Sequence, residues 1–314
     1  MKTLMEMQPS QENTLTEMLE KQQGEYRYLL LDPLKTVSDI NPLYLPTLRS
    51  VLGERAVTPV LRRDLAYSPP HCPQLVLLAS PGERCDFSWL AGSEEYARSE
   101  AWHEKRYLCA WLFSTLPPVQ LATALAEQCN QLTEHSFIPL FEPLRFELLQ
   151  TMSSQEQLAG IVWPVSHWWY VKTSGDITCQ AGKAHEERWS LNWGIEKVQQ
   201  EIRPIWQLLF AWQRVNPALP DDAAMRAANA WQETAKTGLT DHDDRHFLAL
   251  NRLTLPVDIE QHPAVRRLLQ QAIADPDQSF TQLLKALPDA VWQELENTTA
   301  PQQYNDKGID RHGA

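Results

Sequence analysis

Glycine is scarce in this chain, with 11 in 314 residues, and no Gly-rich phosphate loop is among them. Backbone cradles for phosphate depend on glycine, because a side chain would hold the main chain away from the ligand. A nucleophile elbow and a kinase-like motif set are missing too. Cations are outnumbered, 28 Lys and Arg against 40 Asp and Glu, for a net charge of -12. Non-specific nucleic-acid binding requires clustered cations to replace counterions, so that class is set aside. The same charge opposes adhesion to anionic lipid. The five cysteines (Cys72, Cys85, Cys109, Cys129, Cys179) are odd in number and contain no C-x-x-C pair. They match neither a disulfide framework nor a zinc site, and Cys109 and Cys129 read as reduced core residues. No run approaches the length of a membrane span, so stable membrane insertion is not expected. The first residues, MKTLMEMQPSQENT, have no apolar h-region. The cytoplasm is therefore the default location.

What is present is an ordinary globular composition, 43% hydrophobic and 22% charged, in a chain long enough to bury a large core. Residues 1–24 are polar and expected to be loose. Tyr26–Leu31 (YRYLLL), Gln74–Ala79 (QLVLLA) and Tyr107–Ser114 (YLCAWLFS) read as buried strands, with Val57–Leu61 a weaker one. A short helix is expected over Leu43–Leu52, closed by Gly53, and another around Glu94–Glu104. Leu121, Leu125, Cys129 and Leu132 share one face of a helix opened by Pro117-Pro118. With the apolar run Phe137–Phe141, that strand and helix suggest a crossover between parallel strands. Ser153-Ser154-Gln155-Glu156 fits a capping box. Trp168–Lys172 and Ile177–Gln180 form a hairpin across Gly175.

Beyond about residue 190 strand-like runs give way to capped helices. Ile195, Val198, Ile202, Ile205, Leu209 and Trp212 make a helical stripe that Pro204 should kink or split. Further helices follow caps at Asp221, Thr240-x-x-Asp243, Pro263, Ser279-x-x-Gln282 and Pro288. The fold class expected is an α/β (or α+β) N-terminal lobe with a mixed sheet over residues 25–185, then an all-α lobe over 186–296. A polar, disordered tail covers 297–314.

Few residues suggest chemistry. His242 and His246 sit four apart, near Asp241, Asp243 and Asp244, at a spacing that suits metal ligands. First-turn acids are equally what a helix N-terminus prefers, and that reading ranks first. A metal-dependent hydrolase on this pair is kept as an alternative function, and a structural subunit of a secretion or phage-like assembly as another. Asp32, Glu142 and His103 can be imagined as acid–base partners. However, Asp32-Pro33 and Glu142-Pro143 each end an apolar run, where a carboxylate commonly caps the next turn. No cofactor is expected. Trp163, Trp168, Trp169, Trp189, Trp193, Trp206 and Trp212 crowd one region. Adjacent Trp168 and Trp169 must face opposite sides of a strand, so one enters the core and the other meets a second layer or a partner.

The stretch from Phe137 to Cys179 carries the functional expectation. Leu30-Leu31-Asp32, the strand and helix from Tyr107 to Leu132, and Phe141-Glu142-Pro143 with Arg145 are its first elements. Leu148-Leu149, Glu156–Ile161 and Trp168-Trp169-Tyr170 follow, with Gly238-Leu239-Thr240-Asp241 and His262-Pro263 later. Together these resemble the adaptor family of bacterial type VI secretion systems, the Tap or Tec chaperones, over most of residues 25–295. Glu142 stands where the family has Asp, and Ile138-Pro139 stands where a basic residue is usual. The resemblance implies a cytoplasmic, non-enzymatic adaptor that binds a toxin effector and helps load it onto the VgrG spike. It implies protein-binding residues among Glu142, Arg145, Trp168, Trp169 and Tyr170.

Overall fold

The computed structural model describes Leu15, Glu17, Leu19 and residues 22–299, apart from 86, 134–136, 186–189 and 276. Trp189 and the tail from residue 300 lie outside the described residues. No helix among those described is long and apolar enough to cross a membrane.

The N-terminal half is built on six strands: β1 (Tyr26–Leu31), β2 (Val57–Pro59), β3 (Gln74–Ala79), β4 (Leu108–Ser114), β5 (Val165–Val171) and β6 (Ile177–Ala181). Their order is β2-β3-β1-β4-β5-β6. Where the apolar runs suggest a mixed sheet, each pairing is antiparallel. Phe137–Phe141 is no strand but a buried loop and turn, so the crossover does not form. The physical reason is plain. β4 is buried at every position, and a strand covered on both faces reads as a continuous apolar run whatever the direction of its neighbours.

Side-chain alternation along the strands sends Leu29, Leu31, Trp111, Phe113 and Val171 to one face, with Tyr28, Leu30, Leu112, Trp168 and Tyr170 on the other. The first face is covered by α1 (Leu45–Leu52) and α2 (Phe87–Ser99), through residues such as Leu48 and Ala97. Leu15 and Leu19 are buried in the same layer, although they belong to the stretch expected to be loose. Arg27, fully buried on β1, donates to the carbonyls of Leu19, Ser80 and Glu83 and so ties that segment to the loop after β3.

The second face is covered by α3 (Pro118–Gln131), α4 (Pro143–Met152) and α5 (Gln155–Val162). Pro143 opens α4 at its first turn, where a missing N–H costs nothing. Ser154 caps α5 by accepting from the Gln157 N–H, one residue later than the expected Ser153. The β5–β6 hairpin forms as expected, with Gly175 at a φ of 88° that favours glycine.

The helical half follows. α6 (Trp193–Gln200) and α7 (Ile202–Val215) are separate helices that break at Glu201. Pro204 explains the split, because its ring would clash with the carbonyl of Gln200 in a continuous helix. The chain divides into two compact units. The first runs to Trp206, inside α7, and includes Pro220–Met225, the start of α8 (Ala223–Ala235). The second holds Gln207–Leu219 and the chain from Arg226. Its core gathers Leu248 of α9 (His242–Thr254), Val265 and Leu269 of α10 (Pro263–Ala274), and Phe280 and Leu284 of α11 (Phe280–Lys285). Leu295 of α12 (Asp289–Thr299) joins them. Buried Asp244 accepts from the Phe280 and Thr281 N–H groups and from the Ser279 hydroxyl, so a side chain of α9 caps α11.

Candidate functional site

Some of the residues that carry the functional expectation lie around the first turns of α4, whereas the Gly238-Leu239-Thr240-Asp241 and His262-Pro263 motifs belong to the second unit. Leu144 to Leu149 lie over the face that presents Trp168 and Tyr170. The Phe146 ring stacks on Trp168 with centroids 4.7 Å apart and planes 7° apart, and it meets Tyr170 edge-on at 5.0 Å. The Tyr170 hydroxyl donates to Gln150 Oε1 at 2.5 Å. Trp168 and Tyr170 are both 0% exposed, so their rings are spent on packing α4 to the sheet and offer nothing to a partner in this conformation. Trp169 points the other way. It sits directly opposite Trp111 of β4 and packs into the first-face core, half-buried.

At the start of α4 the packing turns polar. Glu142 occupies the N-cap position without capping the helix. Its carboxylate accepts instead from Lys105 and, at 2.6 Å, from the Arg145 Nε–H one turn on. Arg145 also donates to the Gln199 carbonyl, and the Gln199 amide returns a hydrogen bond of 3.0 Å to the Arg145 carbonyl. This reciprocal tie fastens α6 to α4. Burial pushes the Glu142 carboxyl up, yet Arg145 and Lys105 outweigh it and hold the group below its ordinary value.

Asp32 lies behind this cluster, 1% exposed. Its Oδ1 accepts from the Leu34 N–H at 3.0 Å, the turn-capping role its Asp-Pro context suggests. Burial pushes its carboxyl up to about 6, and the nearby Glu142 charge adds to that. The Leu34 N–H, Lys105 and Arg62 pull in the opposite direction without winning. Two carboxyls in one neighbourhood are thus driven apart, one held below its ordinary value by its cations and one raised above it by burial.

A cleft of about 150 Å³ opens beside the cluster, lined by His103, Glu142, Arg145, Arg203 and Trp206 among others. Of the imagined acid–base trio, His103 and Glu142 reach it, and buried Asp32 does not. Most of its cations already face carboxylates: Lys105 and Arg145 face Glu142, Arg203 lies 3.5 Å from Glu104, and His103 lies 3.7 Å from Glu100, while Arg106 donates to the Val171 and Ala101 carbonyls. The arrangement can clamp α4, α6 and the loop before β4 together. Sequence reasoning missed Lys105 and Gln199, which sit in polar stretches with no local signal. It also missed α4 itself, although Pro143 at a helical first turn was there to be read.

The histidine pair belongs to the second unit. The His242 and His246 rings lie stacked, with centroids 6.5 Å apart, and His242 also packs on Trp231. Asp241 caps α9 by accepting from the Asp244 N–H. Among the described residues no group of three or more His, Cys, Asp or Glu is gathered to hold a metal.

Comparison of this chain with protein-family models, curated proteins and solved structures finds no match.

Proposed function

We propose that this chain is a non-enzymatic adaptor that binds a toxin effector of a type VI secretion system and helps load it onto the VgrG spike. One observation carries the reading. Parts of three short motifs far apart in sequence are linked around the first turns of α4: Asp32, then Glu142 with Arg145, then Trp168 and Tyr170, while Leu31 and Trp169 face the other side of the sheet. Asp32 and Glu142 interact electrostatically, Arg145 pairs with Glu142, and Phe146 stacks on Trp168. The acidic composition suits the role, because charge of one sign keeps a carrier of apolar segments soluble.

The cluster supplies rigidity more than contact area, since most of it is buried. In this reading it is the keystone of the platform, and the effector meets surfaces that the platform holds in place. The test is co-purification of the tagged chain with the product of the neighbouring effector gene and with VgrG. Stable complexes are expected with the effector, and a ternary complex with the spike. Failure to retain any effector or spike protein, from a host in which the secretion system is expressed, would refute the proposal.

A further inference from the structure

The first unit carries a second groove, whose lining differs from that of the cleft beside α4. It has a volume of about 280 Å³ and lies where the turn after β1 meets α1. Pro33, Pro46 and Pro70 wall it, with Val37, Tyr44 and Tyr107 supplying apolar surface. Two cations, Lys35 and Arg49, line it, and among the described residues no carboxylate does. That is unusual in a chain with twelve more acids than bases.

The cations are also unspent. The Arg49 guanidinium makes one long hydrogen bond, 3.4 Å from Nη2 to Gln74 Oε1, and its Nε is buried with no partner among the described residues. Lys35 forms no ion pair with any described residue. The contrast with the cleft beside α4 is direct, because there most of the cations already face carboxylates. The groove is also fixed in shape. Asp32 holds the Pro33–Lys35 turn through its carboxylate and carbonyl, the Asp32 N–H donates to the Tyr107 carbonyl, and the Tyr107 hydroxyl donates to the Leu43 carbonyl. Proline walls add no rotamer entropy to be lost on binding. The volume lies at the lower edge of the roughly 300–1,000 Å³ of pockets that enclose a small molecule, and it is large enough to take an anchoring side chain.

We propose that this groove docks an extended segment of a partner polypeptide. The segment inserts an apolar or aromatic side chain between the prolines and places flanking carboxylates on Lys35 and Arg49. This rests on the adaptor reading, and it names the chemistry of what the adaptor grips: an acidic segment with an apolar anchor. The complementarity is local and runs against the net charge of the chain, so it sets specificity for that segment against basic ones.

The probe is a short fluorescein-labelled peptide with a central Leu-Phe pair between Asp and Glu residues, beside a counterpart with Lys in place of each acid. Fluorescence anisotropy should show saturable binding of the acidic peptide, weakened by added salt, and none of the basic one. The double variant K35E/R49E should bind the acidic peptide about tenfold more weakly or worse, since two ion pairs are lost and charge reversal adds repulsion. It should gain affinity for the basic peptide, a reversal that misfolding cannot produce. Arg49→Lys should retain most of the binding. Equal binding of both peptides by the wild type, or equal binding of the acidic peptide by wild type and double variant, would overturn the proposal. So would a concentration-dependent dimer abolished by the same substitutions, which would give the groove to a second copy. An effector that co-purifies equally with the double variant would remove the groove's role and leave the adaptor reading standing. Acidic-peptide binding by a chain that retains no effector would do the reverse.

Discussion

Asp32→Asn tests the electrostatic account most directly. The Asp32 carboxyl is buried, and its value in the folded protein is pushed from 3.8 to about 6. A displacement of that size corresponds to about 3 kcal/mol between the two protonation states. The sign follows from linkage. The folded value lies above the unfolded one, so the folded state holds the proton more tightly. The resulting stability is complete below the unfolded value and is lost as the pH rises through about 6. Asparagine keeps an oxygen to accept from the Leu34 N–H and cannot ionise. The variant should therefore match the wild type near pH 4. Above pH 7 it should be the more stable protein, by up to ~3 kcal/mol. The assay is urea unfolding of both proteins across that range, read as the difference in stability at each pH. Contributions from Glu142 and other groups enter both proteins and largely cancel. A flat difference, or a wild type that gains on the variant as the pH rises, would refute the reasoning. It would mean that Lys105 and Arg62 outweigh burial at Asp32.

Glu142→Gln should cost about 2–3 kcal/mol at pH 7 by leaving Lys105 and Arg145 without their carboxylate. Because the folded Glu142 carboxyl sits below its ordinary value, that stability should be present above the ordinary carboxylate range and be lost as the pH falls through the folded value. Guanidinium unfolding at two pH values checks both statements. Trp168→Ala should cost about 3–5 kcal/mol, measured as a lowered melting temperature, since it removes the ring on which Phe146 stacks. Trp169→Ala should cost less, as Trp169 is only partly buried, and a larger loss than at Trp168 would contradict the assignment of faces. Arg27→Met should cost about 3 kcal/mol in urea unfolding through loss of its contacts to three carbonyls.

How much of this was legible in the sequence depends on the range of the interaction. Short apolar runs located β1, β3 and β4, the Gly175 turn located the β5–β6 hairpin, and a period-3.6 stripe located α3, because each of these signals is written locally. Pro204 announced a break, and it appears as the gap between α6 and α7. Strand direction was not legible, because β1 and β4 are buried on both faces and lose the alternation that distinguishes a half-exposed antiparallel strand. The caps at Ser154 and Asp241 came one residue from their expected places. Each lies in a run of residues able to cap, and the fit of the first turn decides between them.

The candidate site divides along the same line. Glu142 with Arg145 is one helical turn apart and therefore readable, whereas Lys105 reaches Glu142 only because β4 brings it there. Trp168 and Tyr170 stood out as candidates for contact with a partner, since large aromatic residues mark both cores and interfaces and composition cannot separate the two. Their burial against Phe146 places them in the core. The groove at Lys35 and Arg49 shows the opposite case. No motif marks it, and each residue alone is an ordinary surface cation. What distinguishes them is the absence of a carboxylate opposite, which is a property of the folded surface. Among the described residues, an acidic chain leaves two cations around a proline-walled hollow with no carboxylate facing them. That makes the hollow the place where a partner's charge has most to gain.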